Sequence, residues 1–173
     1  YQGVTTEVLG QDGLSYAPLS QDNLNMYVKY LAGLNGNPPD LPLDWSSVKE
    51  YRKKFDGTVA INTVYQVPHG ALRLETVGMK DVPLVGDDMQ KAKQILDQGL
   101  KEGAAAFSTG LSYYPCSYSD TDELVELCKV VAENNSVYVT HIRTVFPEKY
   151  FDPVIETIEI GERSGAKVHF SHF

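Results

Sequence analysis

Two short apolar runs, Tyr138-Val139-Thr140-His141-Ile142-Arg143 and Val168-His169-Phe170-Ser171-His172, restrict this chain more than any other stretch. Each is rich in β-branched and aromatic residues and carries a histidine at or near its end. A run of that texture reads as a buried parallel strand whose last residue emerges at the sheet's carboxyl edge. Between the two lies Phe151 to Arg163, with Val154, Ile155 and Ile158 at helical spacing. Strand, helix and strand in about thirty residues is the size of one βαβ crossover. Neighbouring parallel strands tipped with histidines set the imidazoles side by side, where α/β folds carry their chemistry. His141 and His172 are therefore expected to bind a divalent metal, zinc foremost.

The same rhythm runs through the rest of the chain. Gly3 to Gly10 predicts a strand, followed by a Gln11-Asp12-Gly13 turn in which Gly13 can take positive φ. Thr58 to Val64 predicts the next strand, and Ala104 to Ser108 a short one. A helix over Asp87 to Lys101 has Ala92, Ile95, Leu96 and Leu100 as its stripe. A second, capped by Ser119 to Glu123 and ended by Asn134-Asn135, has Leu124, Leu127, Cys128 and Val131. Residues from about 14 to 55 differ in texture. Asp22 to Leu34 is expected to be helical, and Asp44 or Ser46 is expected to cap a helix bearing Val48, Tyr51 and Phe55. This excursion either forms part of a substrate mouth or covers the barrel's edge. Strands alternating with helices predict a parallel sheet of about five strands with right-handed crossovers, either doubly wound or part of a (β/α)₈ TIM-type barrel. A full barrel needs about 250 residues, so a chain of 173 would be a section of one.

A formal net charge of −8 argues against nucleic acid or an anionic membrane as partner. No apolar run approaches the roughly twenty residues of a membrane span. Cys116 and Cys128 form no paired framework, which points to a reducing, cytoplasmic setting.

Asp12 follows a strand's carboxyl end just as the histidines do, so Asp12, His141 and His172 form a candidate ligand set from three separate segments. Zinc bound this way activates water and polarises a carbonyl. Every candidate also has an ordinary reading. Asp12 can be an Asx-turn residue. Arg143 can grip a substrate carboxylate bidentately or form a structural salt bridge. Tyr113 can hydrogen-bond a substrate carbonyl or tetrahedral oxyanion, or simply pack in its loop. His69 reads as a loop anchor or a support for the site, with the anchor favoured. His169 reads as a core or helix-facing residue.

An ordered series of motifs resembles the D-aminoacylase (N-acyl-D-amino-acid deacylase) family of the amidohydrolase superfamily. It runs through Gln2-Gly3-Val4-Thr5-Thr6, Tyr16-Ala17-Pro18, Asp44-Trp45, His69-Gly70-Ala71-Leu72-Arg73, Phe107-Ser108-Thr109-Gly110-Leu111 with Tyr113 and Pro115, Thr140-His141-Ile142-Arg143 and Ser171-His172. The resemblance implies a metal-dependent hydrolase, with one or two zinc ions, that cleaves the amide of N-acyl-D-amino acids. It implies metal ligation by His141 and His172 and a substrate-holding role for Tyr113. Asp12 stands where the family has a ligating cysteine, a harder donor that shifts metal preference or ion number. Ser112, Tyr114 and Cys116 also depart from the family's loop. The superfamily's first-strand His-x-His pair and its late catalytic aspartate have no counterpart here. The resemblance therefore implies a central section of the enzyme, residues 1–173, inactive alone and prone to associate through open strand edges. Another amidohydrolase, acting on cyclic amides or dipeptides, and a non-catalytic binding relative are the competing readings.

Overall fold

The computed structural model describes residues 2–144 and 149–172; the two ends of the expected section, Tyr1 and Phe173, lie outside them. Five strands form one sheet: β1 (Thr6–Leu9), β2 (Asn62–Pro68), β3 (Ala106–Gly110), β4 (Val137–His141) and β5 (Lys167–His172). Their spatial order is their sequence order, and every neighbouring pair is parallel. A doubly wound sheet requires a point where strand order reverses. There is none in this sheet, so of the two expected architectures the chain adopts the partial TIM-type barrel.

Strand alternation divides the residues between two faces. Val67, Phe107, Tyr138 and Val168 fall in register across β2 to β5 and face the helices. Burying each of these large side chains contributes about 1.5–3 kcal/mol. The helices are α4 (His69–Thr76), α5 (Gly86–Lys101), α6 (Thr121–Glu133) and α7 (Asp152–Ser164), each packed against the next. The expected stripes of α5 and α6 hold: Ala92, Leu96, Leu124, Leu127, Cys128 and Val131 are wholly buried. The stripe of α7 does not. Ile155 and Ile158 are exposed, and Pro153, Thr157 and Ile160 meet the core instead. The helix has two apolar arcs, and contact with α6 selects the other one.

Several boundaries also move. Residue 58 closes a turn and 59–61 are bends, and β2 starts where β1 begins to offer hydrogen bonds, at the Thr6–Asn62 pair. It then continues to Pro68, and β3 likewise runs on to Gly110. Both strands thus reach further toward the carboxyl rim than their β-branched residues suggest. The helix expected over Asp22 to Leu34 breaks at Leu31 into α1 (Gln21–Tyr30) and α2 (Ala32–Asn35). Neither Asp44 nor Ser46 caps α3 (Val48–Lys53). Ser47 does, in a reciprocal capping box with Glu50, and the Ser46 amide donates to the same carboxylate at 2.8 Å.

The excursion packs against the sheet and also lines a cavity. Tyr51 of α3 packs edge-on against Tyr65 of β2, and Trp45 donates to the Tyr16 carbonyl, which covers the sheet. Leu14, Tyr16, Leu34, Asn35 and Tyr51 also line a cavity of about 490 Å³ whose far wall is Asp12 and Tyr113. No helix among the described residues is long and apolar enough to cross a membrane.

Candidate metal centre

The centre is built on the turn after β1. Gly10 has φ 84, Asp12 φ 58 and Gly13 φ 68, so three of four successive residues are left-handed. Aspartate is among the few side chains that tolerate this region. The curl throws the chain inward across the carboxyl ends of the strands. A Cβ on Gly10 would lie 2.4 Å from the Gln66 carbonyl oxygen of β2. One on Gly110 of β3 would lie 2.1 Å from the Asp12 carbonyl oxygen. The Gly13 amide donates to Ser108 Oγ at 2.9 Å. Glycine on both sides lets backbone meet backbone, and the Asp12 carboxylate is delivered over the rim.

His141 is the last residue of β4 and lies on the concave face with Val139, opposite helix-facing Tyr138 and Thr140. His172 reaches the same place by a less regular route. Strict alternation from Val168 would turn it toward the helices. Instead the β4–β5 register slips: Thr140 pairs with Phe170, but His141 pairs with His172, leaving Ser171 as an inserted residue. A bulge of this kind re-aims the side chain that follows it. The same alternation places His169 on the concave face, where it is exposed, rather than in the core or against a helix as expected. Val168 has taken the helix side, against Gly161.

Asp12, His141 and His172 each offer a ligand atom, and all three atoms lie within 4.8 Å of one another. His141 Nδ1 is 2.5 Å from His172 Nε2 and 3.8 Å from Asp12 Oδ2. Zinc bonds of about 2.0–2.2 Å in a tetrahedron set ligand atoms about 3.4 Å apart, between those two separations. Asp12 Oδ1 is buried with no hydrogen-bond partner among the described residues, an acceptor that an ion would satisfy. The residues therefore fit a divalent metal. Burial lowers the proton affinity of His141; the Asp12 carboxylate opposes this and His172 reinforces it, leaving the net shift downward. That favours the neutral imidazole, the form that ligates.

Tyr113 follows β3 in the adjoining loop. Its ring centroid lies 4.9 Å from that of His141, and it shares the cavity wall with Asp12. Arg143 is engaged elsewhere. Its Nε donates to both Glu156 oxygens, at 3.1 and 2.9 Å, and its terminal nitrogens donate to the Ser117 and Ser119 carbonyls. Of the two roles expected for it, the structure displays the salt bridge. The strand ends at His141, so alternation along β4 does not carry Arg143 onto the face of His141.

His69 is a buried anchor. Its Nε2 lies 2.8 Å from Glu123 Oε1, while Arg73 donates to both Glu123 oxygens at 2.8 and 2.6 Å and the Leu84 amide adds a fourth bond. Burial would drive the imidazole's proton off, but Cys116 and Glu123 outweigh it and raise His69 to about 9. Burial likewise raises a carboxyl, yet His69 and Arg73 hold Glu123 down at about 2. The network pins α4 to α6 beneath the Tyr113 loop. Sequence reasoning missed Glu123, as it missed Ser108, Gln11, Gln66 and Ser171. Its only advance signal was an acid at the third position of a capped helix, which reads first as part of that cap.

No family model matches the chain. Individual proteins do. It is 30% identical over 175 residues to the N-acyl-D-aspartate deacylase of Alcaligenes xylosoxydans xylosoxydans, a match covering 99% of this chain and 33% of that protein. A crystal structure of D-aminoacylase, described as defining a novel subset of amidohydrolases, superposes with a TM-score of 0.79 at 29% identity, over 99% of this chain and 35% of that one. The N-acyl-D-glutamate deacylase of Bordetella bronchiseptica, solved with zinc and a phosphonate mimic of the tetrahedral intermediate, gives a TM-score of 0.80 at 28% identity, over 96% and 34%. The chain thus spans about a third of the length of the proteins it matches. Sequence, fold and ordered motifs agree, and the chain is a relative of the D-aminoacylases, the N-acyl-D-amino-acid deacylases of the amidohydrolase superfamily.

Proposed function

We propose that this chain is the central, metal-binding section of a hydrolase that cleaves the amide bond of N-acyl-D-amino acids, releasing a carboxylate and the free amino acid. The observation that carries the reading is the convergence of Asp12, His141 and His172, far apart in sequence, on one point of the rim. These three hold the ion, taken as zinc. When bound, it supplies Lewis acidity at the scissile carbonyl and makes water a competent nucleophile near neutral pH.

The chain's own residues do the rest. The left-handed turn fixes the Asp12 backbone against β3, and the lowered proton affinity of His141 favours its neutral, ligating form. Tyr113, its ring tilted against that of His141, turns its hydroxyl toward the carbonyl oxygen and donates to it as negative charge develops there. The cavity between the excursion and Asp12 receives the substrate and sheds water from around the reacting amide. Arg143 holds the strand end to α7 through Glu156, and would have to leave that carboxylate to grip a substrate. Both cysteines are free thiols, which supports a reducing, cytoplasmic setting. The open edges of β1 and β5 support association with further β-structure.

The test is hydrolysis of N-acetyl-D-methionine by the whole protein. Turnover is expected to vanish on chelation, return with zinc and spare the L-enantiomer, while the 173-residue chain alone is expected to be inactive. Metal-independent turnover, or none in the metal-replete whole protein with any N-acyl-D-amino acid, would sink the proposal. Asp12, in place of the family's cysteine, favours one second reading, a relative that binds but does not cleave. A whole protein without bound metal would support it.

A further inference from the structure

Gln11 has no role in the chemistry above, yet it is the residue through which the two ends of the ligand set touch. Its Nε2 donates to Ser171 Oγ at 2.5 Å, and its Oε1 accepts from Gln66 Nε2 at 3.1 Å. Ser171 is the residue inserted by the β5 bulge and directly precedes His172; Gln11 directly precedes Asp12. One carboxamide therefore spans from β2 to β5 along the rim and fastens the neighbour of one ligand to the neighbour of the other. Gln66 is only 4% exposed, and its own Oε1 has no partner among the described residues. The buried end of the span is thus held from β2, where the Gly10 contact with the Gln66 carbonyl also locks the backbone. Among the described residues, Asp12 and His172 make no side-chain hydrogen bond or ion pair to a neighbouring strand besides their contacts with His141, so Gln11 is the side-chain link between the turn and the bulge.

We propose that Gln11 is a positioning residue that sets the separation of Asp12 and His172 and so tunes metal affinity and ligand geometry. The inference rests on the metal-centre reading and deepens it. Hydrogen-bonded supports around a metal's ligands typically change its affinity by about 10- to 100-fold when removed. Gln11→Leu keeps an aliphatic side chain one atom shorter and removes both hydrogen bonds; Ser171→Ala removes one of them from the opposite strand.

The experiment titrates metal-free protein with zinc against a chromophoric chelator and records the Co(II) absorption bands of each variant, with thermal melts to register folding. Gln11→Leu is expected to weaken zinc binding by about 10- to 100-fold and to shift the Co(II) bands, with Ser171→Ala acting in the same direction. The double variant should bind no more weakly than Gln11→Leu alone, because both remove one connection. A zinc affinity within about twofold of wild type together with an unchanged Co(II) spectrum would overturn the inference, whichever variant gives it. Should Gln11→Leu fail to fold, Ser171→Ala decides by the same criterion. Wild-type protein that binds no zinc would overturn the metal-centre reading itself, and this inference with it.

Discussion

Replacing Glu123 with glutamine tests the buried network beneath the site. The substitution keeps the shape and removes the charge that Arg73 and His69 face. Two routes give its size. Removing one partner of a buried ion pair costs about 3–5 kcal/mol, because the other charge stays buried without compensation. Independently, the carboxyl's drop from 4.5 to about 2 on folding corresponds to about 3 kcal/mol at neutral pH. For a domain of this size each kcal/mol moves Tm by about 2–4 °C, so Glu123→Gln should melt on the order of 10 °C lower.

The pH dependence of that difference is more diagnostic than its size. Glu123 has a depressed folded pKa, so its contribution is complete above 4.5 and is lost as pH falls toward about 2. His69 has a raised folded pKa, so its contribution is complete below 6.5 and is lost as pH rises through about 9. Because the two shifts share one contact, the gap between wild type and Glu123→Gln should plateau from pH 4.5 to 6.5 and narrow on both sides. Urea unfolding of both proteins across pH 2 to 9 measures it. A gap below about 1 kcal/mol on the plateau, or one that stays flat across the range, would refute the argument that these charges stabilise one another.

Three further outcomes follow from the rim. Asp12→Ala should abolish tight zinc binding in a titration while leaving far-UV circular dichroism unchanged, whereas Asp12→Cys should bind zinc and shift preference toward softer metals in competition with manganese. Gly110→Ala forces a methyl group to within 2.1 Å of the Asp12 carbonyl oxygen, so either β3 or the turn must move; denaturant melts should register a loss of about 1–3 kcal/mol, accompanied by weaker metal binding. Tyr113→Phe in the whole protein should lower kcat about 10²- to 10³-fold with little change in zinc content, since the hydroxyl is assigned to the carbonyl oxygen rather than to the ion.

The fold was largely readable because each βα unit writes its own local pattern. Apolar strand runs and the stripes of α5 and α6 need no knowledge of distant residues, and the candidate trio was legible because all three residues follow β-branched runs. What failed needed information that periodicity does not carry. On α7, the run of Val154, Ile155 and Ile158 matches a buried stripe, but Ile160 with Pro153 and Thr157 defines a rival arc, and only the position of α6 chooses between them. Arg143 shows where alternation stops: its partner Glu156 lies beyond the strand end, on the following helix.

His172 is the sharpest case, because it does meet His141 as expected, but for a reason that ending adjacent strands does not supply. Two histidines ending adjacent strands do not meet merely by ending them; each must also fall on the same face. His141 does so by alternation, since Val139 shares its side. His172 is even-numbered with Val168 and Phe170, so a regular β5 would hide it among the helices. One inserted residue, Ser171, reverses that parity. A bulge needs something to hold it, because the inserted residue gives up ladder hydrogen bonds, and Gln11 reaches Ser171 from the turn that carries Asp12. The turn that carries Asp12 thus supports the irregularity that aims His172. Geometry at this rim is set by contacts between turn and strand that no window of sequence contains.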